Sequence, residues 1–553
     1  MEQNELTDEL LSRLEELKSE RAKYEGAWSD AQDFCAPYAY NWHDLDAVPE
    51  HPKRFTSEPC AYLDTLVSGL IGYSVSPSIK WFALTLEDER LADLYGVKDW
   101  LEKSEQALVA AFSRSDLYSS AKPFVQDACV IGNGVIFIGE NLAENKLSFA
   151  HQNPNELYLD VGEEDKIDTV LREFRMTIRQ MVRKFGIDNV SRNVREAYSD
   201  PKRRGQKRTV LFAVYPRDEY KYGSLLAKDF PFAAVYIDIQ DRHVMSESGF
   251  MEFPYAVYSF AKYTGRAYGD SVVQEALEDV RFLDITTETT LKIAQIAADP
   301  PMMVSPNLRN IAILPGAVNE LNGNDDVISA IKTGDNYPIS LDVQKQKNEA
   351  VRKRFNVDYF QMLQTMEGKV MTATEVMELQ GEKAATLSSL IVSMNNALST
   401  IIERSFNLLL RAGLIPPPPT SLSGTNASMK INFVGPLAQA QKRYYSTSTV
   451  SAALQQAVPV IQAYPEAGDF IDADELMKKL MESSGMPQSV IREDRDVEDI
   501  RRARAQAQAQ AQAQAMQMQQ QQNVLSNLNK LNEPVKDGSP LAALNQQAAE
   551  AQV

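Results

Sequence analysis

The chain has 553 residues, 44% of them hydrophobic, with 76 acidic against 57 basic side chains and a net charge of −19. That length and apolar share fit several packed domains. The acidic balance argues against a surface that grips nucleic acid broadly, but not against one that surrounds nucleic acid without holding it.

The opening "MEQNELTDELL" is acidic and amphipathic, unlike a signal peptide. Leu10, Leu14 and Leu17 share one face of a helix expected over residues 5–33. Helices are also expected over 59–75 and 99–113, flanking the extended "SPSIKWFAL", Ser76 to Leu84. "GNG", Gly132 to Gly134, lies between "FVQDACVI" and "VIFIGE". No dinucleotide fingerprint accompanies it, so it reads as a helix-to-strand turn. "GVIFIGE" and "KLSFAHQ" form a strand pair, and "MTIRQMVRKFG" is a short helix ended by Gly186. From Thr209 to Phe260 the β-branched and aromatic runs predict strands, and "KRRGQKR", Lys202 to Arg208, reads as a solvated loop tip. Cys35, Cys60 and Cys129 are far apart and predict buried, reduced thiols. The histidines, His43, His51, His151 and His243, lack metal-ligand spacing, and no nucleophile–base set stands out. Neither a cofactor nor an enzymatic activity is expected.

Ser271 with Gln274 makes a capping box for a helix running to about Ala298. Its apolar stripe, Val273, Leu277, Val280 and Leu291, is too thin for burial in one chain and suits packing between copies. A segment dense in Pro, Gly and Asn follows. A second polar helix is then expected over about 341–363, carrying Lys345, Lys347, Arg352, Lys353 and Arg354.

"GKVMTATEV", Gly368 to Val376, looks at a glance like a phosphate loop. Leu363 stands where the first glycine would be and Val370 where the hydroxyl would be, so that reading fails. Thr372 as N-cap with Glu375, and Met371 against Val376, instead predict a helix start. The helix expected over 373–412 would be roughly 60 Å long, with Gly381 as a weak point. Its end is marked by Gly413, by Leu414 folding back on Leu409 and by Pro416 to Pro419. The charge-free run Ala384 to Ile402 carries eight Ser, Thr or Asn residues and is a packed helix, not a membrane span. At about residue 501 the composition changes: no charge occurs from Ala505 to Asn529, and this Ala/Gln tract is either a long helix or disordered.

The segments "SPSIKWFAL", "VIGNGVIFI", "YGDSVVQEALEDVRFLD…ADPPMMV", "VMTATEVMEL" and "RAGLIPPPP" occur in that order. Over residues 10–415 the chain thereby resembles the head-to-tail connector (portal) proteins of short-tailed bacteriophages. The resemblance implies an α+β subunit of a ring, usually of about a dozen copies, at one vertex of the capsid. Double-stranded DNA would pass through that ring without sequence-specific contacts. Carried over by position, residues 1–265 would be a wing with its β-rich part at 205–262. Residues 266–299 and 341–363 would be stem helices, and 300–340 a clip that docks the packaging motor (terminase) and later the tail adaptor. Residues 364–373 would be a tunnel loop, 374–413 a long helix, 414–500 a mostly helical crown, and 501–553 a tail that could form a helical barrel. Lys369, Lys345, Lys347, Arg352, Lys353 and Arg354 would face DNA, with Gly368, Thr372 and Glu375 shaping the loop and its cap. Capsid and scaffolding proteins would be further partners, in the virion and, during assembly, in the host cytoplasm. Two rival readings are a helical scaffold or adaptor without a channel and a nucleotide-using packaging enzyme.

Overall fold

The computed structural model describes residues 3–42, 53–141, 146–304, 328–330, 337–365, 388–422, 428–435 and 494–531, without 38, 93, 95, 222, 225 and 300 and with 474, 477 and 481. Two compact units are present, Met1–Gly485 and Met486–Val553.

The larger unit is built on antiparallel sheet covered by helices. Strands β4 (Leu157–Val161), β5 (Ile167–Thr177), β6 (Lys207–Pro216), β7 (Phe232–Asp238) and β8 (His243–Phe250) pair in chain order as a five-stranded meander. Both of its faces are covered, which explains the unbroken apolar run on β6. Leu211 and Ala213 point to the first helix, α1 (Gln3–Cys35), where Leu10, Leu14 and Leu17 bury as their spacing predicts. Phe212 and Val214 point the other way into the main core, and Val210 lies under α6 (Ile178–Phe185) and α7 (Arg192–Ser199). Those two helices occupy the β5–β6 connection. Thr177 caps α6 through a complete capping box, and Gly186 ends it at φ 83°.

The main core lies around the three-stranded sheet β3–β2–β9 (Lys146–His151, Asn133–Asn141 and Tyr255–Ser259). It also takes in α2 (Glu58–Ser74), α4 (Val97–Arg114), α5 (Leu117–Ile131) and α11 (Ser388–Arg411). The short α3 (Glu89–Ala92) precedes α4. The "GNG" turn joins α5 to β2 as expected: Gly132 is left-handed at φ 92°. Asn133 donates to Ser259 Oγ and Ala267 O and accepts from Gly269 N, tying the turn to the approach to the next long helix.

Several expectations are corrected. Trp81 and Phe82 are buried, and β1 (Phe82–Leu86) pairs with a strand the sequence did not announce, β12 (Met429–Phe433), inside the span expected to be mostly helical. Cys35 and Cys129 are buried, and burial pushes both thiols well up, whereas Cys60 is only half-buried. The loop tip 202–208 is only partly a solvated surface. Arg204 stacks on Tyr198, and Arg208 pairs with Asp238 and Asp241 at 2.9 and 2.7 Å. In the smaller unit α12 (Asp494–Leu531) is one helix that begins before residue 501 and includes the Ala/Gln tract, so of its two readings the long helix holds.

Candidate functional site

Helix α8 (Val272–Ala298) starts on the predicted capping box: Ser271 Oγ accepts from Gln274 N at 3.0 Å, and Ser271 N donates to Gln274 Oε1 at 2.9 Å. Ser271 is fully buried, and its hydroxyl also donates to Val130 O at 2.8 Å, pinning the helix start to the end of α5. Removing that oxygen loses an N-cap, about 1 kcal/mol, and leaves a buried carbonyl without its donor, about 1–3 kcal/mol. Ser271→Ala is therefore expected to destabilise by about 2–3 kcal/mol. Hydrogen exchange should rise at the first turns of α8 and the end of α5 and stay unchanged in the five-stranded sheet.

The first half of α8 buries Val273, Ala276, Leu277, Val280 and Leu283, so it belongs to the core more than its polar composition suggested. Of the stripe expected to pack between copies, Val273, Leu277 and Val280 are instead buried within this chain, and only Leu291, 46% exposed, is left open. Asp284 accepts from the backbone N of Phe55 and Thr56 at 2.8 and 3.0 Å. Phe282 and Ile285, 41% and 60% exposed, form an outward apolar strip that the sequence reading missed. Their spacing with Glu278 and Thr289, alternating four and three residues, is the signal that could have found it.

The returning segment is not one helix over 341–363. It is α9 (Tyr337–Arg354) and α10 (Val357–Thr365), broken at Asn356, which sits at φ 52°. Val351, Phe355, Val357 and Phe360 are buried around the break, and Phe360 lies over Gly69 of α2. Burial of both flanks in the core outweighs continuation of the helix, and a left-handed Asn is among the less strained ways to turn.

Helices α8 and α9 run antiparallel. Lys347 Nζ bonds Asp279 at 2.7 Å and lies 5.5 Å from the Phe282 ring centre. Arg354 meets Glu275 at 3.3 Å, and Gln344 donates to Thr287 at 2.9 Å. Arg352 pairs with Asp358 across the Asn356 break at 2.8 Å. Of the cations singled out in the sequence, Lys347, Arg352 and Arg354 are thus engaged within the chain. Lys345 and Lys353 are exposed and make no ion pair among the described residues. Gly368, Lys369, Thr372 and Glu375 lie outside the described residues, as does most of the segment 300–340. Within that segment only β10 (Met302–Val304) and β11 (Ile328–Ala330) form a described strand pair. Of the helix expected over 373–412, residues 373–387 lie outside the described residues; the rest is α11, and its end matches expectation. Gly413 is left-handed at φ 70°, with Leu414 N bonded to Leu409 O and Gly413 N to Leu410 O at 2.9 and 3.1 Å.

A groove of about 1880 Å³ is lined by a mixture of opposite charges (Lys166, Lys262, Lys353, Glu163, Glu275 and Glu403). Among the described residues no group of His, Cys, Asp or Glu is placed to hold a metal ion, and no helix is long and apolar enough to cross a membrane. The described elements make a mixed sheet-and-helix body that carries the antiparallel pair α8–α9. The chain belongs to the family described as bacteriophage head to tail connecting protein, which it matches over residues 7–491. The portal protein of Salmonella phage epsilon15 is 29% identical to it over 517 residues, 90% of this chain and 91% of the relative. The probable portal protein of Bordetella phage BPP-1 is 26% identical over 507 residues, 90% of each. The resemblance read from the sequence is borne out, and with it the reading of a structural connector instead of an enzyme.

Proposed function

We propose that this chain is the portal subunit of a phage head. Copies close into a ring of about a dozen at one capsid vertex, and double-stranded DNA enters and leaves through its channel. The observation that carries this reading is the α8–α9 pair. It projects polar faces and, among the described residues, leaves Phe282 and Ile285 41% and 60% exposed. In a closed ring those faces meet neighbouring copies.

The net charge of −19 per copy gives the assembly a strongly acidic character, which lets DNA slide instead of sticking. Contacts by a few cations would be brief and salt-sensitive, with no sequence code. We assign Lys369 to such a contact, on a loop made supple by Gly368 and ended by the Thr372–Glu375 cap. With Lys347, Arg352 and Arg354 engaged in the chain, Lys345 and Lys353 are the stem cations open to an outside partner. The clip over 300–340 would dock the terminase and later the tail adaptor. The wing and the remaining residues would meet capsid and scaffolding proteins in the virion.

Negative-stain images of the purified chain should show rings with a central channel. Rods would support a scaffold without a channel, and ATP hydrolysis by the purified chain would point to a packaging enzyme.

A further inference from the structure

We propose that the outward faces of α8 and α9 are the two halves of one interface whose partner is a second copy of this chain. The inference rests on the ring reading and adds which residues meet. On α9 the exposed side chains Lys345, Glu349 and Lys353 follow one another at four-residue intervals and so share a face. On α8, Glu275, Asp279 and Thr287 face α9, and helical spacing puts Glu278, Arg281, Ile285 and Glu288 on the other side. The order is basic–acidic–basic on one helix and acidic–basic–acidic on the other.

Register makes these patterns correspond. The bonds Arg354–Glu275, Lys347–Asp279 and Gln344–Thr287 fix which residues of the antiparallel pair stand level. On that scale Lys353 is level with the first turns of α8, where Glu278 lies. Glu349 is level with Arg281, and Lys345 lies within about one helical turn of Glu288. Copies related by rotation about an axis running along the helix pair keep those levels. Lys353, Glu349 and Lys345 of one copy then face Glu278, Arg281 and Glu288 of the next. Ile285, 60% exposed, sits among these three charged residues, where the methylene stem of Lys345 can cover it.

The present partners of these groups do not compete strongly. Glu278–Arg281 and Glu288–Lys292 are pairs within one helix, and such pairs contribute little; Arg281, 35% exposed, also bonds Asp30 of α1, so the two lysine–glutamate pairs carry the contact. The two faces differ, so each copy offers one of each and the contact propagates until rotation closes it.

The test reverses the charges in the full chain and reads assembly by native mass spectrometry. Lys345→Glu with Lys353→Glu, and separately Glu278→Lys with Glu288→Lys, should each lower the ring fraction by about tenfold at micromolar concentration. All four substitutions together should restore it. Rings that persist in both double variants overturn the proposal, as does a fourfold variant that stays dissociated. Intact rings with DNA uptake lost would assign the lysines to DNA instead. A wild-type chain that forms no rings removes the ring reading itself, and this interface with it. As an independent check, Glu278→Cys combined with Lys353→Cys should give a ladder of covalent multimers with a short bis-maleimide. Cross-linking no greater than that of each single-cysteine variant counts against the interface.

Discussion

Gly132→Ala should abolish the folded connector subunit more completely than any exposed change. Gly132 is at φ 92°, where a side chain is strained, and a Cβ built there would lie 1.8 Å from Gly269 O and 2.6 Å from Gly269 C. Both are backbone atoms, so no rotamer change relieves the overlap. The strands cannot separate freely either, because Phe260 N bonds Gly132 O at 2.9 Å and Asn133 holds Gly269 N at 2.7 Å. Strain at a left-handed non-glycine is about 1–3 kcal/mol. With the displaced backbone the total should exceed about 4 kcal/mol, a range reached only by specific structural lesions. Denaturant unfolding, or soluble yield where the variant is too unstable to titrate, measures the effect. Gly205→Ala is the control, since nothing lies within 4 Å of a Cβ at that position. Equal stability of the two variants would show that the α5–β2 turn has room to shift.

That turn was legible because its signal is local: a glycine closing a helix, an amide side chain, and a β-rich run after it. The same holds for Gly186 ending α6, for the capping box at Ser271 and for the left-handed Gly413, each specified by residues within one helical turn. What escaped the reading depends on partners far along the chain. "MKINF" is five residues long and becomes a strand only because Phe82–Leu86 lies opposite. The break at Asn356 has neither Gly nor Pro to mark it, and is imposed by burying Phe355 and Val357 together. The cation string on α9 was visible, but its division into engaged and exposed members was not. Asp279 and Glu275 lie on another helix, and Asp358 lies beyond an unforeseen break.

Arg404 carries the second large effect. It is 5% exposed on α11, and its Nε donates to Ile138 O at 3.1 Å while Nη1 donates to Glu252 O at 2.8 Å. One side chain thus joins α11 to β2 and to the turn between β8 and β9. Its guanidinium also lies 5.4 Å from the Phe250 ring centre and 3.7 Å from the Glu252 carboxylate. Burial lowers its pKa to about 10, with Glu252 opposing and Arg411 adding to the shift, so the group stays charged at neutral pH. Arg404→Met keeps the length and apolar stem but strands two carbonyl acceptors. Removing one partner of a buried pair costs roughly 3–5 kcal/mol. Glu252 is 30% exposed and keeps Arg411 at 2.8 Å, so about 2–4 kcal/mol is expected here. Arg404→Lys restores the charge but not the fork that reaches two carbonyls, and should fall between the two. Denaturant midpoints should therefore rank wild type, Lys and Met, with faster hydrogen exchange in Ser388–Arg411 of the Met variant. A Met variant as stable as wild type would mean that packing of α11, and not these polar bonds, holds the helix on the sheet.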